Sequence, residues 1–347
     1  MESEAMKGNK PHLIIPDENS INPSLDLEDE INRLRREMNA VILAHYYQEP
    51  ELQDIADFVG DSLDLSRKAA ATDADVIIFC GVMFMAEVAK ILNPEKLVLI
   101  PDANAGCSLE ESCQPLAFKA FREKHPDHIA LTYINCSAEV KALSDIIVTS
   151  SNAEHIIRQL PEDKPILFAP DKYLGAYLQK KTGRKMTIWP GTCVVHEQFS
   201  ERAVVRLKTQ HPDSFIIAHP ECPEALLNHA DHVGSTSSLI KFTKEHAGKE
   251  FIVLTEHGII HQMKKESPES VFYDVPGTTE SCASCNECPF MKLNTMEKLY
   301  MAMINRAPAI ELSLELIIKA KKPLKKMLAM SPQKKAAEDK PAAAAIA

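Results

Sequence analysis

Three cysteines lie close together near the end of the chain, and thiols at such spacing are well suited to binding a metal. Cys282, Cys285 and Cys288 have the spacing C-x2-C-x2-C, and Pro289 follows the last of them. Iron–sulfur proteins use this spacing, but the further cysteine that completes their usual run is absent here. An iron–sulfur cluster would therefore need ligands from elsewhere in the chain. On spacing alone, a zinc site and a redox-active disulfide are the alternatives.

The sequence repeats one order of features three times. In each repeat a strand-like apolar run ends on a ring that can form hydrogen bonds, at steps of 88 and 86 residues: His45, Tyr133 and His219. A turn with a small hydroxyl residue recurs at the same steps: Ser62, Ser150 and Thr236. A second apolar run recurs at 76–79, 165–168 and 251–254, and a third ends at Pro101, Pro190 and Pro276. These shared periods indicate a triplication. The alternative is that unrelated α/β units look alike at this level.

Each repeat is predicted to form strand, helix, strand, helix and strand, which right-handed crossovers fold into a small parallel sheet. The predicted fold class is α/β, with three homologous three-layer αβα domains around a pseudo-threefold axis and flanking N- and C-terminal helices. The predicted ranges are 1–24 for a polar N-terminal arm, 25–112, 113–198 and 199–289 for the domains, 290–330 for C-terminal helices packing near the first domain, and 331–347 for a disordered tail. Pro323 is expected to break any helix between Lys319 and Lys326.

Each repeat also has a cysteine just beyond its third strand. These cysteines are Cys107, Cys193 and Cys288. Three such loops meeting on one axis would bring three thiolates together, and three ligands on a four-iron cluster would leave one iron open. An open metal position is typical of catalytic sites rather than structural ones. An iron–sulfur electron carrier and a zinc-stabilised binding protein remain the alternatives.

The hydroxyl turns and the strand ends together predict a pocket for a small anion. Backbone N–H groups and the helix dipole attract carboxylate or phosphate at helix N-termini, where Ser62, Ser150 and Thr236 are predicted to lie. The residues expected to line this pocket follow the strands: His45, Tyr47, Tyr133, Asn135 and His219. Glu221 would act there as a general acid or base. Taken singly, each of these residues has an ordinary alternative as a helix cap, a core residue or a solvated charge.

The composition argues against several classes of function. The chain has 347 residues, and its 39 basic and 49 acidic residues give a net charge of −10, which does not favour nucleic acid. Signal-peptide and membrane-span patterns are absent, so we expect no membrane association and a cytoplasmic location. The nine cysteines favour free thiols and metal ligands over disulfides. The sequence lacks Gly-x-Gly and Gly-Lys-Ser/Thr, which excludes the common nucleotide-binding loops.

Several short motifs, in their order along the chain, resemble those of the quinolinate synthase family. They are Ala44-His45-Tyr46-Tyr47, Gly60-Asp61-Ser62, Tyr133-Ile134-Asn135, Thr149-Ser150-Ser151, Pro190-Gly191-Thr192-Cys193, His219-Pro220-Glu221, Gly234-Ser235-Thr236 and Cys288-Pro289, within about residues 27–330. The resemblance implies three similar α/β domains around a [4Fe-4S] cluster with Cys107, Cys193 and Cys288 as ligands. It also implies condensation of iminoaspartate (iminosuccinate) with dihydroxyacetone phosphate to quinolinate, with release of phosphate and water, in de novo NAD biosynthesis.

The resemblance further assigns roles to residues. It implies substrate contacts by His45, Ser62, Tyr133, Ile134, Asn135, Ser150, His219, Pro220, Glu221 and Thr236. It implies catalytic roles for Glu221, His219, Tyr47 and Tyr133. The open iron would act as a Lewis acid, and the enzyme that supplies iminoaspartate would be a functional partner.

Under this resemblance Cys282 and Cys285 are spare thiols. A C-x-x-C pair of thiols can close into a disulfide, so we predict that their oxidation alters the loop of Cys288 and lowers activity. The alternative is that both are loop residues without consequence.

Overall fold

A computed structural model of the chain describes residues 21–277 and 286–332. Cys282 and Cys285 lie outside these ranges, and so does the predicted disulfide between them. Of the predicted N-terminal arm only residues 21–24 are described, and of the predicted tail only residues 331 and 332.

Within the described residues the strands form three four-stranded sheets, and every strand pair is parallel. The first sheet contains β1 (Ala40–His45), β2 (Phe58–Gly60), β3 (Val76–Cys80) and β4 (Leu97–Leu99). The second contains β5 (Ile129–Tyr133), β6 (Ile146–Val148), β7 (Ile166–Ala169) and β8 (Met186–Ile188). The third contains β9 (Phe215–Ala218), β10 (His232–Val233), β11 (Glu250–Leu254) and β12 (Val271–Asp274). All three sheets have the same strand order, β2-β1-β3-β4 in the first. The predicted α/β fold is therefore confirmed.

The helices connect and cover these strands. With the first sheet lie α1 (Leu27–Glu37), α2 (Pro50–Ile55), α3 (Ser62–Ala71) and α4 (Met83–Leu92). Along the second part of the chain lie α5 (Ser108–Ser112), α6 (Pro115–Glu123), α7 (Ala138–Ala142), α8 (Ala153–Ile157) and α9 (Lys172–Thr182). The third part contains α10 (Glu201–Gln210), α11 (Glu224–Leu227), α12 (Thr236–Glu245) and α13 (Ile259–Glu266), and α14 (Met296–Asn305) and α15 (Leu314–Met330) follow. No helix of the described ranges is long and apolar enough to cross a membrane.

The number of strands per repeat differs from the prediction. Each sheet has a fourth strand at its edge, β2, β6 or β10, which leads directly into the hydroxyl turn. These strands contain only two or three residues. Such short runs show no alternation of apolar and polar residues, so the sequence pattern could not separate them from a loop.

An aspartate fixes each of these edge strands to its neighbour. The residue just before the edge strand donates its backbone N–H to a carbonyl of the central strand, and its carboxylate accepts the N–H of the same central-strand residue. The three pairs are Asp57 with Ile42, Asp145 with Ala130 and Asp231 with Ile216, with carboxylate-to-nitrogen distances of 2.8, 2.8 and 2.7 Å. Their spacing again follows steps of 88 and 86 residues. The repeat therefore extends to contacts that the sequence analysis did not use.

The cores of the first two sheets are continuous. Val41 of β1 and Leu131 of β5 belong to one cluster of buried side chains, which also contains Leu324 and Met327 of α15. The third sheet has two further clusters, one on each face, because successive strand residues point to opposite sides. Burial of apolar surface is therefore what joins the first two sheets and the C-terminal helix.

Helix α15 corrects the expectation for Pro323. The helix continues through this proline, which is itself buried. Proline inside a helix costs about 3 kcal/mol, but α15 packs against α7, β6 and α4 and buries Leu324 and Met327 there. Apolar burial at about 1.5–3 kcal/mol for each large side chain offsets that cost. Helix α14 instead packs against α1.

Candidate active site

The ends of the three central strands meet at a cavity of about 70 Å³. It is lined by residues from all three repeats and brings together most of the residues singled out from the sequence. These are His45, Tyr47, Ser62, Cys107, Tyr133, Asn135, Ser150, Cys193, His219, Glu221, Thr236 and Cys288. Ile134 and Pro220 are buried but do not line it. Polar side chains that converge in one largely buried pocket are typical of a small-molecule site.

Glu221 receives hydrogen bonds from two other side chains inside the cavity. The Tyr133 hydroxyl donates to Glu221 Oε1 at 2.6 Å, and His196 Nδ1 lies 2.8 Å from Glu221 Oε2. His219 stacks on His196 with ring centroids 4.8 Å apart. Glu221 itself is 3% exposed. The carboxylate, which belongs to the third repeat, is therefore held in one place by two side chains of the second repeat.

Burial and hydrogen bonding fix the charges of these groups. Burial lowers the pKa of His45 and of His219 to about 3, so both imidazoles are neutral near pH 7. Burial by itself would raise the pKa of Glu221, but the neighbouring His219 and His196 and the hydrogen bonds from His196 and Tyr133 outweigh it and lower that pKa. Glu221 is therefore an ionised carboxylate near neutral pH.

Two phenols of the same cavity keep their protons near neutral pH. Burial raises the pKa of Tyr47 and of Tyr133 well above the usual range, and the charge of Glu221 raises both further. The Tyr47 hydroxyl lies 2.6 Å from Thr255 Oγ1, which in turn lies 2.9 Å from His196 Nε2. Near neutral pH the two tyrosines are therefore hydrogen-bond donors next to an ionised acceptor.

His196 is a site residue that the sequence analysis missed. It lies in a single turn of 3-10 helix, His196–Gln198, directly after the Cys193 loop. Its Nδ1 is 3.1 Å from Cys193 Sγ. The ligand atoms of Cys193, His196 and Glu221 all lie within 4.8 Å of one another, so these three residues could hold a metal ion. The spacing Cys193-x-x-His196 is common among metal ligands and was the available signal.

The three predicted metal-binding cysteines line the same cavity as free thiols. Burial raises the pKa of Cys288 to about 11 and raises the pKa values of Cys107 and Cys193 as well. The charges of the other two thiols also raise the pKa of Cys193. The raised pKa values mean that the free cysteines are protonated thiols. A bound metal would instead favour the thiolate form, because a cation stabilises thiolates directly. The donor set therefore fits a group that three thiolates bind.

The hydroxyl residues line the cavity, but only two of the three occupy helix N-termini. Ser62 and Thr236 are the first residues of α3 and α12. Ser150 instead lies in a turn before the short helix α8, and its Oγ is 3.3 Å from His219 Nε2. The expectation of a helix N-terminus at Ser150 was therefore wrong. Ser151 and Asn152 come between it and the first residue of the helix, Ala153.

Buried polar atoms without partners indicate where a ligand would bind. Asn135 Oδ1 and Thr149 Oγ1 are buried and have no hydrogen-bond partner among the described residues, and both residues line the cavity. A buried polar atom without a hydrogen bond lowers the stability of the protein, and a polar ligand in the cavity would supply the missing hydrogen bond. This observation favours a ligand with hydrogen-bonding groups near the second repeat.

Asp61 is a second cavity residue that the sequence analysis did not assign. Its carboxylate caps α3 and also accepts hydrogen bonds from Ser151 and Ser237, which belong to the other two repeats. These contacts tie the three hydroxyl turns together. Nothing in the local sequence around Asp61 shows that its partners lie in the other repeats.

Comparison with known proteins identifies the family. Residues 29–329 match the family model of NadA, the quinolinate synthetase A protein. A quinolinate synthase of Ehrlichia chaffeensis is 61% identical over 309 residues, which cover 88% of this chain and 98% of that protein. A quinolinate synthase of Synechocystis is 59% identical over 306 residues, which cover 88% of this chain and 96% of that protein. A quinolinate synthase of Prochlorococcus marinus strain MIT 9313 is 58% identical over 313 residues, which cover 90% of this chain and 93% of that protein. The chain belongs to the quinolinate synthase family, as its motifs indicated.

Proposed function

We propose that this chain condenses iminoaspartate with dihydroxyacetone phosphate to quinolinate, releasing phosphate and water, as a step of de novo NAD biosynthesis. The observation that carries the proposal is the single cavity in which a carboxylate, two phenols, three hydroxyl residues and three thiols converge. The relatives named quinolinate synthase support the same activity.

We propose that Cys107, Cys193 and Cys288 hold a [4Fe-4S] cluster. The fit rests on three free thiols, one from each repeat, around one cavity. When bound, such a cluster would supply Lewis-acid chemistry through an iron that no cysteine occupies.

The chain's own residues would bind the substrates and move protons. Ser62 and Thr236 would present their hydroxyl groups to the carboxylates and the phosphate of the two substrates. The buried neutral imidazoles of His45 and His219 add hydrogen bonds without adding charge. Asn135 would pair its free carbonyl oxygen with a donor on the substrate.

Glu221 is proposed as the general base, because it is ionised and buried within the cavity. It would accept a proton from a substrate carbon or nitrogen and return it when water leaves. Tyr133 donates a hydrogen bond to the same carboxylate and would orient it, and Tyr47 lies at the opposite end of the Thr255–His196 chain.

An anaerobic assay tests the activity directly. Purified full-length protein is incubated with iminoaspartate and dihydroxyacetone phosphate, and quinolinate is measured by chromatography. Quinolinate formation that depends on both substrates supports the proposal. Protein with intact iron that forms no quinolinate would contradict it.

Iron counting tests the cluster ligands. Cys107→Ala, Cys193→Ala and Cys288→Ala are each expected to lose the cluster and its visible absorption. Cys282→Ala and Cys285→Ala are expected to keep the iron content of the parent under reducing anaerobic conditions. Loss of iron in either of the last two variants would instead indicate a cluster built on the local C-x2-C-x2-C run.

A single metal ion at Cys193, His196 and Glu221 is the second candidate, because their ligand atoms lie within 4.8 Å of one another. The two candidates differ in their dependence on the other thiols. A single ion would survive Cys107→Ala and Cys288→Ala and would disappear in His196→Ala. A cluster held by three thiols would instead be lost in Cys107→Ala and in Cys288→Ala.

We further propose a cytoplasmic location and a functional partnership with the enzyme that supplies iminoaspartate. The free state of seven cysteines among the described residues is consistent with a reducing compartment. Oxidation of Cys282 and Cys285 is proposed to lower activity through the Cys288 loop. Activity measured before and after treatment with a dithiol reductant, in the parent and in Cys282→Ala, tests this regulation.

A further inference from the structure

Glu256 is a completely buried carboxylate that directly follows Thr255 in the chain. Its Oε1 accepts the backbone N–H of Cys288 at 3.1 Å, and its Oε2 accepts the N–H of Gly258 at 2.7 Å. The residue before it, Thr255, contacts the Tyr47 hydroxyl. One short segment of the third repeat therefore touches both a proposed metal ligand and a proposed catalytic residue.

Lys292 completes this link from the opposite side. Its ammonium lies 3.2 Å from Glu256 Oε1 and donates to the backbone carbonyl of Tyr47 at 3.1 Å. A third contact joins it to Glu49 Oε1 at 3.3 Å. The Lys292 side chain is only 15% exposed, so solvent screens this interaction weakly.

The loops around this pair leave little free space. A Cβ atom on Gly258 would come within 2.8 Å of the Tyr47 carbonyl carbon and 2.9 Å of the Gln48 carbonyl oxygen. The buried amide of Gln53 donates to the carbonyls of Tyr46, Gln48 and Gly258. The Tyr47 loop and the 255–258 loop therefore pack backbone to backbone, and a shift of one requires a shift of the other.

We infer that Glu256 and Lys292 are a positioning pair that couples the place of the Cys288 thiol to the place of the Tyr47 loop. The inference rests on the proposed role of Cys288 as a cluster ligand. Glu256 holds the Cys288 backbone, Lys292 holds the Tyr47 backbone, and the ion pair joins the two. Neither side chain needs to touch substrate for this role.

Such a link has a measurable consequence, because coupling between two sites is reciprocal. Removing the cluster from Cys288 should change the surroundings of Tyr47, and the change should pass through Lys292. Breaking one partner of a buried pair also leaves the other charge uncompensated. Lys292→Met would remove the cation that joins the Glu256 side chain to the Tyr47 backbone.

The test uses full-length protein labelled with 3-fluorotyrosine and compared with and without iron by fluorine NMR. Tyr47→Phe assigns the Tyr47 signal. In the parent we expect this signal to shift when iron is removed with a chelator. In Lys292→Met and Glu256→Gln we expect that shift to be lost, and we expect iron to be released to a ferrous chelator at least about tenfold faster, as weakening of a ligand's surroundings does at other metal sites.

Two controls separate positioning from general damage. Lys292→Arg keeps the charge and the donors, so it should restore slow iron release and the shift, and it serves if Lys292→Met does not fold. Asp57→Asn alters another carboxylate that accepts a backbone N–H and pairs with a cation, Arg35, but away from the cavity. It should behave as the parent.

The inference is overturned if Lys292→Met releases iron at the parental rate and its Tyr47 signal still responds to iron removal. It is also overturned if Asp57→Asn has the same effects as Lys292→Met. A parent protein that contains no iron contradicts the proposed cluster instead. The two failures are therefore distinguishable.

Discussion

The two ends of the three sheets differ in how closely their equivalent residues match between repeats. At one end of each edge strand the same residue type makes the same contacts three times: Asp57, Asp145 and Asp231. At the opposite ends, which border the cavity, the equivalent positions are not all alike, because Tyr133 stands where the other two repeats have His45 and His219. The aspartates each fix their own sheet, whereas the cavity residues share one space and bond to other repeats.

This difference shows what a threefold repeat can and cannot supply. A contact inside one sheet is satisfied three times by the same side chain, because each sheet has the same geometry. A single small substrate has no threefold symmetry, so the three repeats must offer it different groups. We therefore expect substitutions at the aspartate end to change stability, and substitutions at the cavity end to change chemistry.

The largest effect is expected for Glu221→Gln. The amide keeps the shape and part of the hydrogen bonding but cannot accept the proton, so turnover per cluster should fall by about 10²–10⁴-fold. Iron content and unfolding free energy should change little. Glu224→Gln, which alters an exposed carboxylate paired with Lys180, is the matched control. Turnover near the parental value in Glu221→Gln would remove this residue from the mechanism.

The cavity end should also carry much of the protein's acid sensitivity. His219 has a folded-state pKa of about 3, below its unfolded value. Its contribution to stability is therefore complete above about pH 6.5 and is lost progressively as the pH falls toward 3. Between pH 6 and pH 4 each such histidine should lower the unfolding free energy by about 1.4 kcal/mol per pH unit.

Urea unfolding of cluster-free protein at several pH values measures this slope. His219→Asn should reduce the slope by the contribution of about one proton, or about 1.4 kcal/mol per pH unit. A variant that also replaces His45 should reduce the slope by the contribution of about two protons. The same slope in the parent and in both variants would show that these imidazoles do not cause the acid sensitivity.

Smaller effects are expected at the hydroxyl turns. Ser62→Ala, Ser150→Ala and Thr236→Ala should each weaken substrate binding by about 1.5–3 kcal/mol, the contribution of a hydrogen bond to a charged group. Iron content should be unchanged. Ser200→Ala also removes a small hydroxyl, but Ser200 caps α10 and does not line the cavity. If one of these variants binds the substrates with the parental affinity, the replaced hydroxyl does not contact substrate and its role is structural.

The smallest effect is expected at the aspartate end. Asp57→Ala leaves the N–H of Ile42 without its side-chain acceptor and should lower the unfolding free energy by about 1–2 kcal/mol. Turnover per cluster should remain at the parental level. A comparable loss of turnover would show that the two ends of the sheet are not functionally separate.

The repeat pattern predicted the sheets and most of the cavity residues, because strand ends and turns are local features with a fixed period. The contacts between repeats were not predictable in this way. Asp61 bonds to Ser151 and Ser237 across the cavity, and His196 reaches Glu221 and Thr255. The expectation that Pro323 breaks the helix was wrong for a related reason. The conformation of this segment is decided by the burial of α15 and not by the local helix propensity.

The position of α15 also affects the order in which the protein can be made. This helix follows all three sheets in the chain and so leaves the ribosome after them, yet Leu324 and Met327 belong to the core that the first and second sheets share. During synthesis that core stays incomplete, with apolar surface uncovered, until the third sheet and α15 have also emerged. We therefore expect nascent chains that end before Leu314 to bind chaperones, although both sheets are already synthesised.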